Sequence, residues 1–149
     1  TLPAIFWQRL AWLFKDAGRR VAVIRTHSET KLTTDVDDYC DVSVSGVGSP
    51  IASSRVFIGP DSLPMHIAAT TKTPIVGLFT IALPKYRYPW KRDEKLFTGI
   101  SANIACVGCL HREPPPVRFA ECRLDAALKN QCVDCFDPSE VFKSAMAYL

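Results

Sequence analysis

The chain lacks three features that would assign it to a large protein class. No apolar run reaches the roughly 18 residues that a membrane-spanning helix requires, so the sequence predicts no transmembrane segment. The chain also has no large excess of charge of one sign. Its 18 basic and 15 acidic residues leave a net charge of +3, which is too small and too dispersed to indicate a nucleic-acid partner. Internal repeats are absent, and the one low-complexity segment is Pro114–Pro116. With 149 residues, the chain has the length of about one domain.

What the sequence contains is an alternation of amphipathic helices and short apolar strands. The first helix is predicted where apolar residues recur on one face, and Gly18 supplies its stop. Short, continuous apolar runs predict strands that are buried on both faces of a parallel sheet. The alternation predicts an α/β fold with a Rossmann-like parallel sheet. The predicted elements are a helix with Trp7, Leu10, Ala11 and Phe14 on one face, strands at Val21–Ile24, Arg55–Gly59, Ile75–Phe79 and Leu96–Ile100, and helices from Ser62 to Thr71 and from Asp137 onward.

Three segments are predicted to be irregular or weakly ordered. Residues 26–40 are polar and carry clustered aspartates, which favours a loop. Residues 41–45 alternate weakly and indicate a short strand that the following glycines and Pro50 break. Residues 81–95 hold prolines, aromatic residues and charges, which are typical of a long loop.

The most informative segment is the strand–turn–helix junction from Phe57 to Ala69. Gly59 lets the backbone turn at the carboxyl end of a strand, and Asp61 is placed to cap the helix that follows. Helix N-termini at such junctions favour anionic ligands such as a pyrophosphate. His66 lies four residues after Ser62, so both side chains project from one helix face.

Each of these residues also has a structural interpretation. Asp61 would serve only as a helix cap, and Ser62 only as a turn residue. His66 lies between Met65 and Ile67, so a hydrogen-bonded histidine in the core is the alternative to a ligand-binding one. The order of the whole segment is more specific than any of its residues.

Five of the six cysteines lie within thirty residues, as Cys106, Cys109, Cys122, Cys132 and Cys135. Two thiolates separated by two residues can bind one metal ion, and four tetrahedral sulfurs suit zinc or a single iron. Five candidates compete for four places in a segment, residues 101–136, that has little apolar periodicity. Disulfides and free buried thiols are the alternatives. Cys40 is far from the others in sequence, and a buried thiol is its default interpretation.

The junction resembles the donor-site signature of glycosyltransferase family nine, the ADP-heptose:lipopolysaccharide heptosyltransferases and their relatives. The resemblance is sharp over about 25 residues and weaker over the rest of the chain, including a Pro89–Trp90 pair. The matching runs are Phe57-Ile58-Gly59-Pro60-Asp61-Ser62-Leu63-Pro64-Met65-His66-Ile67-Ala68 and Pro74-Ile75-Val76-Gly77-Leu78-Phe79-Thr80.

This resemblance implies the C-terminal, donor-binding half of a GT-B fold, with residues 1–149 as one Rossmann-like domain. Asp61 and Ser62 match positions that contact the nucleotide-sugar donor, the backbone at Leu63 lies close to its phosphates, and His66 is a signature residue near the same place. The family implies an inverting transfer without a catalytic metal. Its catalytic base is a carboxylate on the N-terminal half, so we expect this chain alone to be inactive.

The resemblance also selects among the cysteines. In relatives with a comparable cluster, the last cysteine lies about six residues before the proline of the final helix, as Cys132 does before Pro138. It therefore favours Cys106, Cys109, Cys122 and Cys132 as the ligands of one structural metal ion.

Two departures from the signature favour a competing interpretation. Leu63 stands where the family usually has glycine, and Thr80 replaces the glycine after Phe79. A non-catalytic scaffold or oligomerisation module of the same fold, stapled by a metal, is therefore the alternative to a donor-binding domain. In the loop after the strand ending at Phe79, one residue among Lys85, Tyr86 and Arg87 is a candidate donor contact.

The expected setting follows from these points. Because the chain opens on Thr1, we expect a piece of a longer protein that also holds the N-terminal GT-B half. The expected partners are a nucleotide-sugar donor and a glycan or protein acceptor. The α/β pattern and the lack of a signal-peptide pattern favour a reducing compartment, so we expect a cytoplasmic protein, with peripheral membrane association left open.

Overall fold

The structure is a computed structural model, and it describes residues 2–89, 93–111, 122 and 131–149. Helices and parallel strands alternate along the chain, which confirms the predicted α/β class. The elements are α1 (Ala4–Asp16), β1 (Ala22–Arg25), β2 (Asp37–Cys40), α2 (Val44–Ser53), β3 (Phe57–Pro60), α3 (Leu63–Ala69), β4 (Ile75–Phe79), α4 (Pro84–Arg87), β5 (Phe97–Ser101) and α5 (Pro138–Met146).

The strands form two parallel sheets. β3, β4 and β5 lie side by side in that order, with Phe57 opposite Ile75 and Ile75 opposite Phe97. β1 and β2 form a separate pair, with Ala22 opposite Asp37. Because all pairings are parallel, the carboxyl ends of neighbouring strands in each sheet meet at one edge.

The core lies on both faces of β4, whose five residues are all buried. Successive side chains of a strand point to opposite faces. Val76 and Leu78 pack in one cluster with α1 and α5, whereas Ile75 and Phe79 pack in the other with α2 and α3. The described elements therefore form helix, sheet and helix layers around β4.

The ends of two helices follow the sequence signals. Gly18 has a φ of +71°, and the backbone N–H groups of Gly18 and Arg19 donate to the carbonyls of Lys15 and Phe14, which ends α1. At the start of α5, the Asp137 side chain accepts a hydrogen bond from the backbone N–H of Ser139. Both helix boundaries were predicted.

The segment between β1 and β3 departs from the prediction. Residues 37–40 form β2 rather than a loop, and residues 41–45 form no strand, since α2 begins at Val44. Ser43 caps α2 by accepting from the backbone N–H of Gly46, and Val47 and Ile51 of α2 are buried. β1 is not buried on both faces, because Ala22 is exposed and the other three residues of the strand are partly exposed.

The predicted loop 81–95 contains one short helix, α4. Trp90 and Pro114–Pro116 lie outside the described residues, as does part of the cysteine-rich segment. In the described part of the chain, no helix is long and apolar enough to cross a membrane.

Candidate donor-binding site

A cleft of about 520 Å³ opens at the carboxyl edge of the three-stranded sheet. β3 ends at Pro60, which pairs with Leu78 of β4, so the turn after β3 and the turn after β4 lie side by side. The cleft volume falls within the range of small-molecule sites. Its polar lining residues are Asp61, Ser62, His66, Thr80 and Arg87.

Asp61 lies between two basic side chains in this cleft. Its Oδ1 is 3.5 Å from His66 Nε2, and its Oδ2 is 3.6 Å from Arg87 Nε. The carboxylate is largely buried, with 19% of the side chain exposed, whereas the two bases are about half exposed. A buried carboxylate with basic partners at the cleft surface can bind a ligand that carries both phosphates and hydroxyls.

The structure shows where each of the three predicted residues lies. Ser62, not Asp61, occupies the cap position of α3, and that helix has no side-chain cap bond. The Ser62 hydroxyl instead donates to the carbonyl of Pro60 at 3.3 Å. His66 is half exposed, so it is not a core histidine. All three line the cleft, and their role as donor contacts stays a prediction.

Leu63, the fourth predicted donor contact, lines the same cleft and is 55% exposed. Because α3 has seven residues and Pro64 has no N–H, its N-terminus offers few donors to an anion. Arg87 brings a positive charge to the lining of this cleft.

The family comparison covers the part of the chain that holds these residues. The family model of Glycosyltransferase family 9 (heptosyltransferase) matches residues 9–116. The chain belongs to glycosyltransferase family 9. The resemblance seen in the sequence is thereby confirmed, and Asp61, Ser62, Leu63 and His66 all lie within the matched range.

A solved structure shares the fold of this family 9 chain. It is the crystal structure of the glycosyl transferase family 9 from Veillonella parvula DSM 2008, with a TM-score of 0.69 and 14% sequence identity. The match covers 98% of this chain and 41% of that chain, so this family 9 chain spans less than half the length of that relative. The comparison with curated protein sequences finds no significant match.

Sequence reasoning singled out Arg87 only as one of three candidates in its loop. Lys85 Nζ lies over the ring of Tyr86, 4.7 Å from its centroid, and Tyr86 packs on His111 with ring centroids 4.3 Å apart. Of the three, Arg87 alone lines the cleft. The signal for it was its place in the loop after β4, since that loop opens at the carboxyl edge of the sheet.

The predicted metal ligands of the family 9 chain all lie in the described part of the structure. All six cysteines are described; none forms a disulfide, and all are partly buried. Burial raises the pKa of the Cys132 thiol, and the charges of Cys106, Cys109 and Cys122 raise it further. Cys135 instead donates from Sγ to the carbonyl of Gln131 at 3.2 Å. The metal at these cysteines stays a prediction, as does the choice of four.

Proposed function

We propose that this chain is the donor-binding part of a glycosyltransferase, and that it holds a nucleotide-sugar in the cleft beside Asp61. ADP-heptose is the donor by analogy with the family, and the acceptor is a hydroxyl of a glycan or a protein. The observation that carries the proposal is the trio of Asp61, His66 and Arg87 at the carboxyl edge of a parallel sheet in a family 9 chain.

The charges of this trio suit the two ends of such a donor. The guanidinium of Arg87 has the fork geometry that binds phosphate oxygens in pairs, and its partial exposure leaves it free to exchange Asp61 for a diphosphate. Asp61 would then accept hydrogen bonds from hydroxyls of the donor, while His66 keeps the carboxylate oriented. Ser62 and Thr80 add hydroxyls along the same wall.

Transfer requires more than these residues. The acceptor hydroxyl must be positioned in line with the donor and lose its proton, and the family resemblance assigns the base to the N-terminal half. We therefore expect the chain alone to bind donor without turnover. A transfer assay on the isolated chain with ADP-heptose checks this, and turnover at the rate of an intact family enzyme would contradict it.

Calorimetric titration with ADP and ADP-heptose tests the binding directly. The donor should bind the wild type, and Arg87→Ala should weaken binding about tenfold or more, because a charge-assisted phosphate contact is lost. Arg20→Ala is the matched control, since Arg20 is exposed and pairs with Asp37, and it should leave binding unchanged.

The competing scaffold function rests on Leu63, whose exposed side chain stands at the mouth of the cleft in place of the family's glycine. If neither ADP nor ADP-heptose binds at millimolar concentration while far-UV circular dichroism shows an intact fold, the scaffold is supported and donor binding is contradicted. Leu63→Gly then tests whether this side chain blocks the site, because donor binding restored in that variant would show that it does.

The same proposal includes one structural zinc or iron ion held by Cys106, Cys109, Cys122 and Cys132. Its support is that Cys106, Cys109 and Cys122 contribute, after burial, to the raised pKa of the Cys132 thiol, whereas Cys135 contacts the Gln131 carbonyl. Elemental analysis and a visible spectrum for ferric thiolate test it: Cys132→Ser should lose the metal and Cys135→Ser should keep it. A metal-free, fully folded wild type would refute the idea.

A further inference from the structure

A second group of chemically active side chains lies at the carboxyl edge of the β1–β2 pair. The parallel register places Arg25 opposite Cys40, so the residues that follow the two strands meet. The backbone N–H of Asp41 donates to the Arg25 carbonyl, and the backbone N–H of His27 donates to Asp41 Oδ1, both at 3.0 Å. This ladder brings His27, Cys40 and Asp41 together.

The three side chains converge on one point. His27 Nδ1 lies 2.9 Å from Cys40 Sγ and 2.5 Å from Asp41 Oδ2. Among the residues that the structure describes, these three form the one group of potential metal ligands whose donor atoms all lie within 4.8 Å of one another. Neither the donor cleft nor the cysteine-rich segment includes any of them.

Hydrogen bonding alone accounts poorly for this arrangement. Nδ1 of an imidazole carries at most one hydrogen, yet a sulfur and a carboxylate oxygen both lie within contact of it. Bonds of about 2.0–2.3 Å from a tetrahedral zinc ion place its ligand atoms roughly 3.3–3.8 Å apart. A small cation among the three donors would therefore need only a slight separation of their side chains.

The surrounding charges favour a cation. Arg25 acts electrostatically on Cys40 and Asp41, but its guanidinium is engaged by both oxygens of Asp38, at 2.9 and 2.8 Å. The carboxylate of Glu29 lies on the same turn, where it accepts from the backbone N–H of Thr26. The positive charge of Arg25 is thus compensated, and the acidic groups of the turn remain in excess.

We propose that His27, Cys40 and Asp41 form a binding site for a divalent metal ion, with zinc as the best fit to one nitrogen, one sulfur and one oxygen ligand. Three protein ligands leave a fourth position open. Because 84% of the His27 side chain is exposed, that position is accessible to water, and the ion exchanges readily. The site differs in this respect from a closed structural site with four cysteines.

Alkylation of Cys40, followed by mass spectrometry of its peptide, tests the proposal with zinc as the probe. Reading that peptide alone keeps the other five cysteines from obscuring the result. Zinc should protect Cys40 in the wild type, and His27→Ala or Asp41→Asn should raise the zinc concentration needed for half protection at least about tenfold. His66→Ala and Asp35→Asn are the matched controls and should protect like the wild type.

Two results would overturn the site. Zinc at millimolar concentration could leave the alkylation rate of Cys40 unchanged in the folded wild type. Alternatively, His27→Ala and Asp41→Asn could protect at the wild-type zinc concentration, which would mean that other groups hold the ion. Far-UV circular dichroism of each variant separates lost binding from lost folding, because these residues are exposed or partly buried and should leave the spectrum unchanged.

Discussion

The two sheets of this chain are stabilised in different ways. β4 is buried along its whole length, with helices packed on both faces of the β3–β4–β5 sheet. In the β1–β2 pair, no residue of either strand is fully buried. Burial of apolar area therefore dominates in the first sheet, whereas the second depends on its backbone ladder and on surface charges.

Among the described residues, three ion pairs of a lysine or arginine with an aspartate flank the second sheet, and each joins residues that are far apart in sequence. They are Lys15–Asp35 at 3.1 Å, Arg20–Asp37 at 2.9 Å and Arg25–Asp38 at 2.8 Å. The candidate donor cleft lies at the edge of the buried sheet, and the proposed metal site lies at the edge of the exposed pair. Loss of core packing should thus disturb both sites, whereas loss of one of these surface charges should affect only the proposed metal site.

The largest expected effect compares one aromatic residue in each sheet. Phe79 is fully buried in β4, and Phe79→Ala should lower the free energy of unfolding by about 3–5 kcal/mol. Tyr39 of β2 is 36% exposed, and Tyr39→Ala should cost less than about 1 kcal/mol. Urea denaturation measures both, and equal losses would contradict the contrast between the sheets.

The tight packing of β4 is tested more finely by Gly77→Ala. A Cβ atom at Gly77 would lie 2.7 Å from Cε2 of Phe79 and 3.2 Å from Sδ of Met65. Since both neighbours are fully buried, they cannot move away freely, and the expected loss is about 1–3 kcal/mol. An unchanged urea midpoint would show that this layer has more room than the distances indicate.

The same contrast explains what the sequence could predict. β4 and the start of α5 were predicted because a continuous apolar run and an Asp-Pro start are local signals that packing reinforces. β2, with the sequence Asp-Asp-Tyr-Cys, has no apolar run, and its pairing with β1 defines it as a strand. α2 was missed because its glycines and Pro50 oppose a helix, which the burial of Val47 and Ile51 outweighs.

The candidate sites differ in the same way, because some of their residues are close in sequence and others are brought together only by strand pairing. Asp61, Ser62 and His66 follow one another along the chain, so a local motif was enough to place them together. Arg87 reaches them through the β3–β4 pairing and α4, which sequence spacing does not reveal. The convergence of His27 with Cys40 and Asp41 requires the register of β1 and β2, and this pair was itself not predicted.

A small gain is expected from Gly48→Ala in α2. A Cβ atom there would lie 3.9 Å from Ile67 Cγ2, an ordinary contact, and alanine is favoured over glycine within a helix by about 0.5–1 kcal/mol. Gly46→Ala is the matched control, because its Cβ would press on the capping Oγ of Ser43 at 3.3 Å. Thermal denaturation should show a higher Tm for the first variant than for the second, and the reverse order would contradict the role of Ser43 as the cap.

The smallest effect is expected from the Arg25–Asp38 pair and takes the form of a pH dependence. The hydrogen bonds from Arg25, followed by its charge, hold the pKa of Asp38 below its ordinary value of 3.8. A lowered pKa in the folded state adds stability above the unfolded value, and that stability is lost as the pH falls through the folded pKa. Water at the side of the pair screens the interaction, so the contribution is modest.

Between pH 7 and pH 2, the wild type should therefore lose slightly more stability than Asp38→Asn in urea denaturation, whereas Asp35→Asn, at an exposed pair, should follow the wild type. Parallel curves for the wild type and Asp38→Asn would mean that the backbone ladder, rather than this pair, holds the exposed strands together.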